Sequence, residues 1–330
     1  MGARPALSIV IPTRNRCQLL LAELRALENQ TLPAEYYEVI VVVDGSTDGT
    51  GQAVEALDTA FSLRQIWPPG RGRAAACNAG IRAAEGEIVV LLDDDMLPSP
   101  ALLEAHLHAH ESGEHLGVMG PVPIRLDADA RPVTRYVGRK FNQHLQKLGE
   151  GASIGFRDLY TGNFSIRRSL LDEVGLFDED FKIYGNEDGE LGVRLLDAGV
   201  RLTYSAEAVA HQRYTKRFAA LAQDNIAKGR TAVLLARKHP QALGSLKLSS
   251  KDSRELRFAR AALLRITSMW SGTPRLVIGC FEILELLLPR LAEYACLAVL
   301  DYFYWLGATA ELRDGGPLSF DPRPTGAAGR

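Results

Sequence analysis

Cysteine is scarce in this chain and scattered. The 330 residues hold four, Cys17, Cys77, Cys280 and Cys296, and no two form a Cys-x-x-Cys pair. That spacing excludes a cysteine-ligated zinc site and a dithiol redox motif. A chain of this length does not need disulfides to hold a core, so reduced thiols and a cytosolic setting are expected. Long uncharged apolar runs are also missing. The most apolar stretch, 275–306, is interrupted by Glu282, Glu285, Arg290, Glu293 and Asp301. It falls short of the ~20 apolar residues that a membrane span needs. No signal-peptide pattern is expected, because the strand-like run Leu7 to Ile11 starts within a few residues of Met1. Ala6 stands where the myristoylation pattern needs Ser or Thr. There are no internal repeats. The formal net charge is only -2, and no nucleic-acid partner is expected.

What is present is an ordinary globular composition with uneven charge. Between Gln212 and Arg275 there are 14 Lys and Arg against three acids, Asp224, Asp252 and Glu255. So lopsided a segment calls for an anionic neighbour: a membrane surface, a phosphorylated acceptor, or the acidic remainder of the protein. The first part of the chain alternates short apolar runs with helical spacing. Strands are expected at Leu7 to Ile11, Val39 to Val43, Phe61 to Trp67 and Ile88 to Leu92, with helices at Arg16 to Glu28 and Ala74 to Ala84. A β-α-β-α order of this kind builds a mostly parallel sheet with helices on both faces. The segment 121–153 reads as weakly periodic, the place for a mobile or substrate-covering stretch. A strand is expected near Tyr160 to Ile166, a helix near Asp188 to Ala198, and a last strand at Val200 to Tyr204. From Arg217 onward the pattern is helical. The Pro- and Gly-rich tail after Asp314 is expected to be disordered.

The strongest chemical signal is Asp93-Asp94-Asp95, placed directly after the apolar run Ile88 to Leu92. Open α/β sheets bind ligands at the carboxyl ends of their strands. Three adjacent carboxylates repel one another unless a cation or solvent screens them. A divalent-metal site that handles an anionic substrate fits this pattern; so does a solvated acidic turn.

Four stretches, taken in order, resemble family 2 glycosyltransferases of the GT-A fold. They are Ser8-Ile-Val-Ile-Pro-Thr-Arg-Asn15; Val42-Val-Asp-Gly-Ser-Thr-Asp-Gly-Thr50; Gly70 to Gly80 with Gly86-Glu87 and the acidic triplet; and Gly162-Asn163 with Gly185-Asn-Glu-Asp-Gly-Glu-Leu191. The last is of the type shared with galactosyltransferases. The resemblance implies a Rossmann-like sheet flanked by helices over 1–212. Residues 1–120 would be its nucleotide-sugar half and 121–212 its acceptor half. A helical extension would follow over 213–313, then the tail 314–330.

The same resemblance implies site residues. Pro12, Arg14, Asp44, Arg73, Asp93 and Asp94 would bind the donor, with Asp44 accepting from a ring N–H of the base. Val43 stands where the family more often has a first Asp. Asp95 and His211 would ligate Mn²⁺ or Mg²⁺, which suits all-oxygen carboxylate ligation completed by phosphates. Asp188 would take the proton of an acceptor hydroxyl during inverting transfer, assisted by Glu187. Tyr184 and Asn163 would contact the acceptor. Asn78 and the acids of Phe177-Asp-Glu-Asp-Phe181 read as structural, and His106, His108 and His110 as surface residues. The expected partners are a nucleotide-sugar donor, most simply UDP-linked, and a sugar or glycoconjugate acceptor. Two other functions fit some of these residues: a sugar-nucleotide nucleotidyltransferase, and a non-catalytic binding module. For the amphipathic pair within 275–306, two readings stand: packing on the main domain, or shallow insertion in a bilayer at the inner membrane face, with peripheral contact through 213–307.

Overall fold

The computed structural model describes residues 4–316, apart from 69, 127–129, 215, 250–259, 261, 266 and 268–271. The tail expectation for 314–330 therefore lies almost wholly outside the described residues. Seven strands make one sheet, in the order β3-β2-β1-β4-β8-β6-β9. They are β1 (Leu7–Thr13), β2 (Tyr37–Val43), β3 (Ser62–Ile66), β4 (Ile88–Leu92), β6 (Leu116–Met119), β8 (Asn163–Arg167) and β9 (Arg201–Tyr204). Strands β1 to β4 are parallel, as their helical crossovers require. β8 runs antiparallel to both β4 and β6.

Alternation along the strands explains the two cores. Ile9, Ile11, Val39, Val41, Val90 and Leu92 point to one face, where α1 (Cys17–Leu27) packs. Val10, Ile40, Val42, Val89 and Leu91 point to the other, which is covered by α3 (Arg73–Ala83) and α7 (Glu187–Asp197). A strand buried on both sides reads as the continuous apolar run seen in the sequence.

Three elements differ from the sequence expectations. β9 is not the last strand. β10 (Ala210–Arg213) follows and joins β5 (Met96–Pro98) and β7 (Ile124–Arg125) in a second, three-stranded sheet. The segment 121–153 is not a loose cover, because an 18-residue helix, α5 (Pro132–Gly149), occupies most of it. Pro132 opens that helix, and apolar side chains at 133, 137, 141, 145 and 148 recur on one side of it. Finally, His106 and His110 on α4 (Leu102–His110) are buried; only His108 is on the surface.

The C-terminal part is a helical layer. α8 (Phe218–Lys238) packs against α9 (Thr273–Leu287) and α10 (Pro289–Gly315) around Phe218, Phe281, Cys296 and Phe303. The Phe218 and Phe281 rings stack at 3.9 Å. Two glycines allow α8 and α10 to touch backbone to backbone. A Cβ on Gly229 would lie 1.9 Å from the Tyr304 carbonyl oxygen, and one on Gly307 would lie 2.0 Å from that of Ile226. None of the described helices is long and apolar enough to cross a membrane.

Candidate active site

The antiparallel β8 brings the two halves of the sequence together. Its first residue, Asn163, pairs with Leu92, the last of β4. The turn Thr161-Gly162 therefore lies beside the acidic triplet, and the Asp93 amide donates to the Gly162 carbonyl at 3.2 Å.

The three acids have distinct surroundings. Asp94 is buried and accepts from Thr13 Oγ1 (2.8 Å) and Arg16 Nη1 (2.8 Å). Burial pushes its carboxyl up to about 6, although Arg16 pulls the other way. Asp95 accepts from Arg16 (3.1 Å) and from Gln212 Nε2 (3.3 Å). Its carboxyl is also raised, first by burial and then by the charge of Asp93. Asp93 turns outward, with a third of its side chain exposed. Both Asp93 and Asp95 line a cleft of about 450 Å³ together with Pro12, Arg14, Asp44 and Lys182. Two raised or exposed carboxylates facing an open cleft form an all-oxygen donor set, which suits Mn²⁺ or Mg²⁺ once phosphate oxygens complete the shell.

Arg73 links this acidic end to the second half of the site. Its guanidinium donates to Asp93 (2.7 Å), Thr161 Oγ1 (3.0 Å) and Asp188 (3.1 Å), and lies 3.7 Å from Glu187. Asp188 is also held by the Thr161 hydroxyl (2.6 Å) and amide (3.2 Å). Glu187 and Asp188 open α7, where the helix dipole favours acids. The two residues before them, Gly185 and Asn186, are both left-handed, with φ of 106° and 65°. Asn186 is fastened there by its side chain to the Lys228 carbonyl (3.0 Å) and Thr231 Oγ1 (2.8 Å). Glu187 is buried and accepts from the Gly185 amide at 2.8 Å. Burial drives its carboxyl up to about 7, with the Asp188 charge adding and Arg73 opposing. A second cavity, of about 530 Å³, shares Arg73, Asp93 and Glu187 with the first and adds Asp188 to its lining. Its walls mix polar groups with Val122, Ile124, Phe141, Phe156 and Leu246. Tyr184 borders both cavities. Lys216 and Lys228 lie over its ring, 4.7 and 5.4 Å from the centroid.

Several expected residues sit otherwise. Asn163 is fully buried and its amide is committed: Oδ1 pairs with His106 Nε2 (2.8 Å), and Nδ2 donates to the carbonyls of Ala208 (2.7 Å) and Pro121 (3.3 Å). It braces the fold beneath the site and is not available to an acceptor. His106 and His110 belong to the same network through Ser165 Oγ. Burial lowers both imidazoles to about 4, so they are neutral. His211 does not join Asp95. Side chains alternate along β10, and it is Gln212 that faces the acid. No group of three or more His, Cys, Asp or Glu poised for a metal occurs among the described residues. Asp44 lines the cleft while accepting the amides of Arg71 (3.1 Å) and Gly72 (3.2 Å). Asn78 and the acids after Phe177 are structural as read: Asn78 bonds the Phe177 backbone and Glu179, and Asp178 pairs with Lys238.

Sequence reading missed Arg16, Thr161, Asn186 and Gln212. Arg16 carried a signal, a cation at the start of the helix that follows a motif strand. The others act through contacts 27 to 117 residues away in the chain, which no local pattern encodes.

Comparison with known proteins shows the family and the fold. The model of the family described as "Glycosyl transferase family 2" matches residues 8–175. Validoxylamine A glucosyltransferase of Streptomyces hygroscopicus subsp. jinggangensis (strain 5008) is 30% identical over 237 residues, 62% of this chain and 54% of that protein. Pre-mycofactocin glycosyltransferase of Mycobacterium tuberculosis (strain CDC 1551 / Oshkosh) is 30% identical over 265 residues, 73% of this chain and 50% of that protein. The chain thus spans about half the length of these curated relatives. Among solved structures, mannosyltransferase PcManGT from Pyrobaculum calidifontis, in complex with GDP-Man and Mn²⁺, superposes with a TM-score of 0.62 at 23% identity, covering 95% of this chain and 88% of that one. At that identity the likeness is one of fold.

Proposed function

This chain belongs to glycosyltransferase family 2, and on that premise we propose that it moves a sugar from a nucleoside diphosphate donor to an acceptor hydroxyl with inversion at the anomeric carbon. The observation that carries the reading is the Arg73 bridge. It sets Asp93, on the donor side, and Asp188, on the acceptor side, against one guanidinium where the two cavities meet. The donor occupies the cleft between Pro12 and Asp95. Arg14, Lys182 and Lys216 line that cleft and meet the diphosphate charge. Asp44 reads the base, and its acceptor-only carboxylate suits the imide N–H of uracil.

Asp93 and Asp95 would hold the divalent ion, with His211 outside the set. When bound, the ion stabilises the negative charge that develops on the departing nucleoside diphosphate. Asp188 takes the proton from the acceptor hydroxyl as its oxygen attacks the anomeric carbon from the face opposite the leaving group. The new C–O bond forms as the bond to the diphosphate breaks. Glu187 and Arg73 fix the attitude of Asp188, and Tyr184 forms the floor on which donor and acceptor meet. Membrane contact through 213–307 is a separate part of this reading.

The test is a screen of nucleotide sugars with Mn²⁺ for release of nucleoside diphosphate in the presence of hydroxyl acceptors. Release of pyrophosphate would indicate nucleotidyl transfer. Metal-dependent nucleotide binding without turnover on any acceptor would indicate a binding module.

A further inference from the structure

The hairpin formed by α9 and α10 has two unlike faces. Its inner face carries Phe281, Glu285, Ala292, Cys296 and Leu300 and is buried against α5 and α8. Its outer face is apolar and open. Residues 286–291 are six consecutive exposed positions, Leu-Leu-Leu-Pro-Arg-Leu, at the tip where the two helices meet. Leu286, Leu287, Leu288 and Leu291 are 51% to 72% exposed, and Tyr294, one turn further on, is 88% exposed. Ile283 and Leu276 continue the stripe along α9 at helical spacing. A contiguous apolar surface of this kind marks an interaction site.

The charges say what covers it. Two acids of the hairpin are committed to the protein. Glu285 is buried and accepts the Val133 amide at 3.1 Å, with Arg131 3.5 Å away. Glu293 pairs with Arg139 at 2.8 Å, and Glu282 is half-buried. The fully exposed charged residues of 273–299 are Arg275 and Arg290, both cationic. An outward face of leucines and a tyrosine with arginines at its margin is the pattern of an element lying in the headgroup region of an anionic bilayer. The fifteen residues of α9 extend only about 22 Å, too short for a hydrocarbon core of about 30 Å. α10 is longer but is interrupted by Arg290, Glu293 and Asp301, and neither helix is long and apolar enough to cross a membrane. A twofold contact between two copies over the tip is disfavoured, because it would set Arg290 against its own symmetry mate.

We propose that the 286–294 tip of this hairpin is a docking wedge for an anionic lipid surface. The apolar side chains enter the acyl boundary, and Arg275 and Arg290 meet the headgroup phosphates. The proposal does not depend on which sugar or acceptor the enzyme uses.

Vesicle flotation of the full chain tests it, with pure phosphatidylcholine compared against phosphatidylcholine mixed with phosphatidylglycerol. The wild type should float with the mixed vesicles. The double variant Leu287→Ser/Tyr294→Ser should lose at least about tenfold in partitioning, while its melting temperature and nucleotide binding stay as in the wild type. Arg290→Glu should weaken binding to the mixed vesicles alone and reduce its salt sensitivity. Equal flotation of wild type and double variant, or no flotation of either, would overturn the proposal. So would light scattering that finds a dimer abolished by the same double variant, since that would give the face to a second copy. Nucleotide binding is read on the same samples, so failure of the docking proposal and failure of the transferase reading are separable.

Discussion

Arg73 Nη1 lies 3.1 Å from Asp188 Oδ1. The carboxylate proposed to accept the acceptor's proton is thus held by a side chain from the first turn of α3. That one contact ties residues 115 positions apart and makes the orientation of this carboxylate depend on the wall of the cleft that Asp93 lines.

Asp188→Asn keeps the shape and most hydrogen bonds but removes the proton acceptor. Transfer should fall by at least about 100-fold, with nucleotide affinity by calorimetry unchanged. Arg73→Gln should differ, because it releases both Asp93 and Asp188. There kcat should fall and donor affinity weaken together. Equal loss of donor binding in Asp188→Asn would contradict the base role.

Chelation should silence transfer, and Mn²⁺ should restore it. Asp95→Asn should weaken Mn²⁺ binding at least about tenfold, whereas His211→Ala should leave it unchanged because Gln212 is the β10 residue facing Asp95. A large loss in His211→Ala would show that β10 turns its other face to the metal.

Glu23 on α1 is fully buried, and neither carboxylate oxygen has a partner. Burial raises its pKa well above the ordinary 4.5, and the charges of Asp94 and Asp95 add to that. The folded chain therefore keeps a proton that the unfolded chain releases. Its contribution is fully present below the unfolded value and is lost as pH rises through the folded one. Glu23→Gln should stabilise the protein at neutral pH and by less near pH 4.5, because it removes the cost of ionising a buried carboxyl. A gain that does not vary with pH in denaturant titrations would reject this account.

The histidine network has the opposite sign. His106 and His110 have folded values near 4 against an ordinary 6.5. Stability is complete above about 6.5 and is lost as pH falls toward 4, as the unfolded chain gains protons that the folded one refuses. Thermal melts should decline across that window, and His106→Gln/His110→Gln should flatten the decline. Asn163→Ala, which strands His106 and two carbonyls, should cost about 1–3 kcal/mol without changing donor affinity.

The parallel core and the acid-bearing strand end were legible because both rest on local pattern. An apolar run such as Val39 to Val43 has to be buried on two faces, and Asp93 follows its strand directly. Glu187 and Asp188 were singled out by the family resemblance; local pattern alone marked them only as acids at a helix start. Whether Asn163 faced the cleft or the interior was not legible, since that depends on partners at 106, 121 and 208. Nor was the choice between His211 and Gln212, which turns on the phase of a short strand. The helix at 132–149 was readable from its four-residue apolar spacing; its many charges obscured it.

Gly229 leaves no room for a side chain between α8 and the C-terminal hairpin, while the adjacent residue, Lys228, offers its carbonyl to Asn186. A single peptide unit therefore separates the joint that carries the hairpin from the latch that sets the left-handed turn ahead of Glu187. A tilt of the hairpin that displaced Gly229 would act on that turn through the adjoining peptide. The hairpin's seat and the anchor of the turn ahead of Glu187 thus fall on neighbouring residues of one helix.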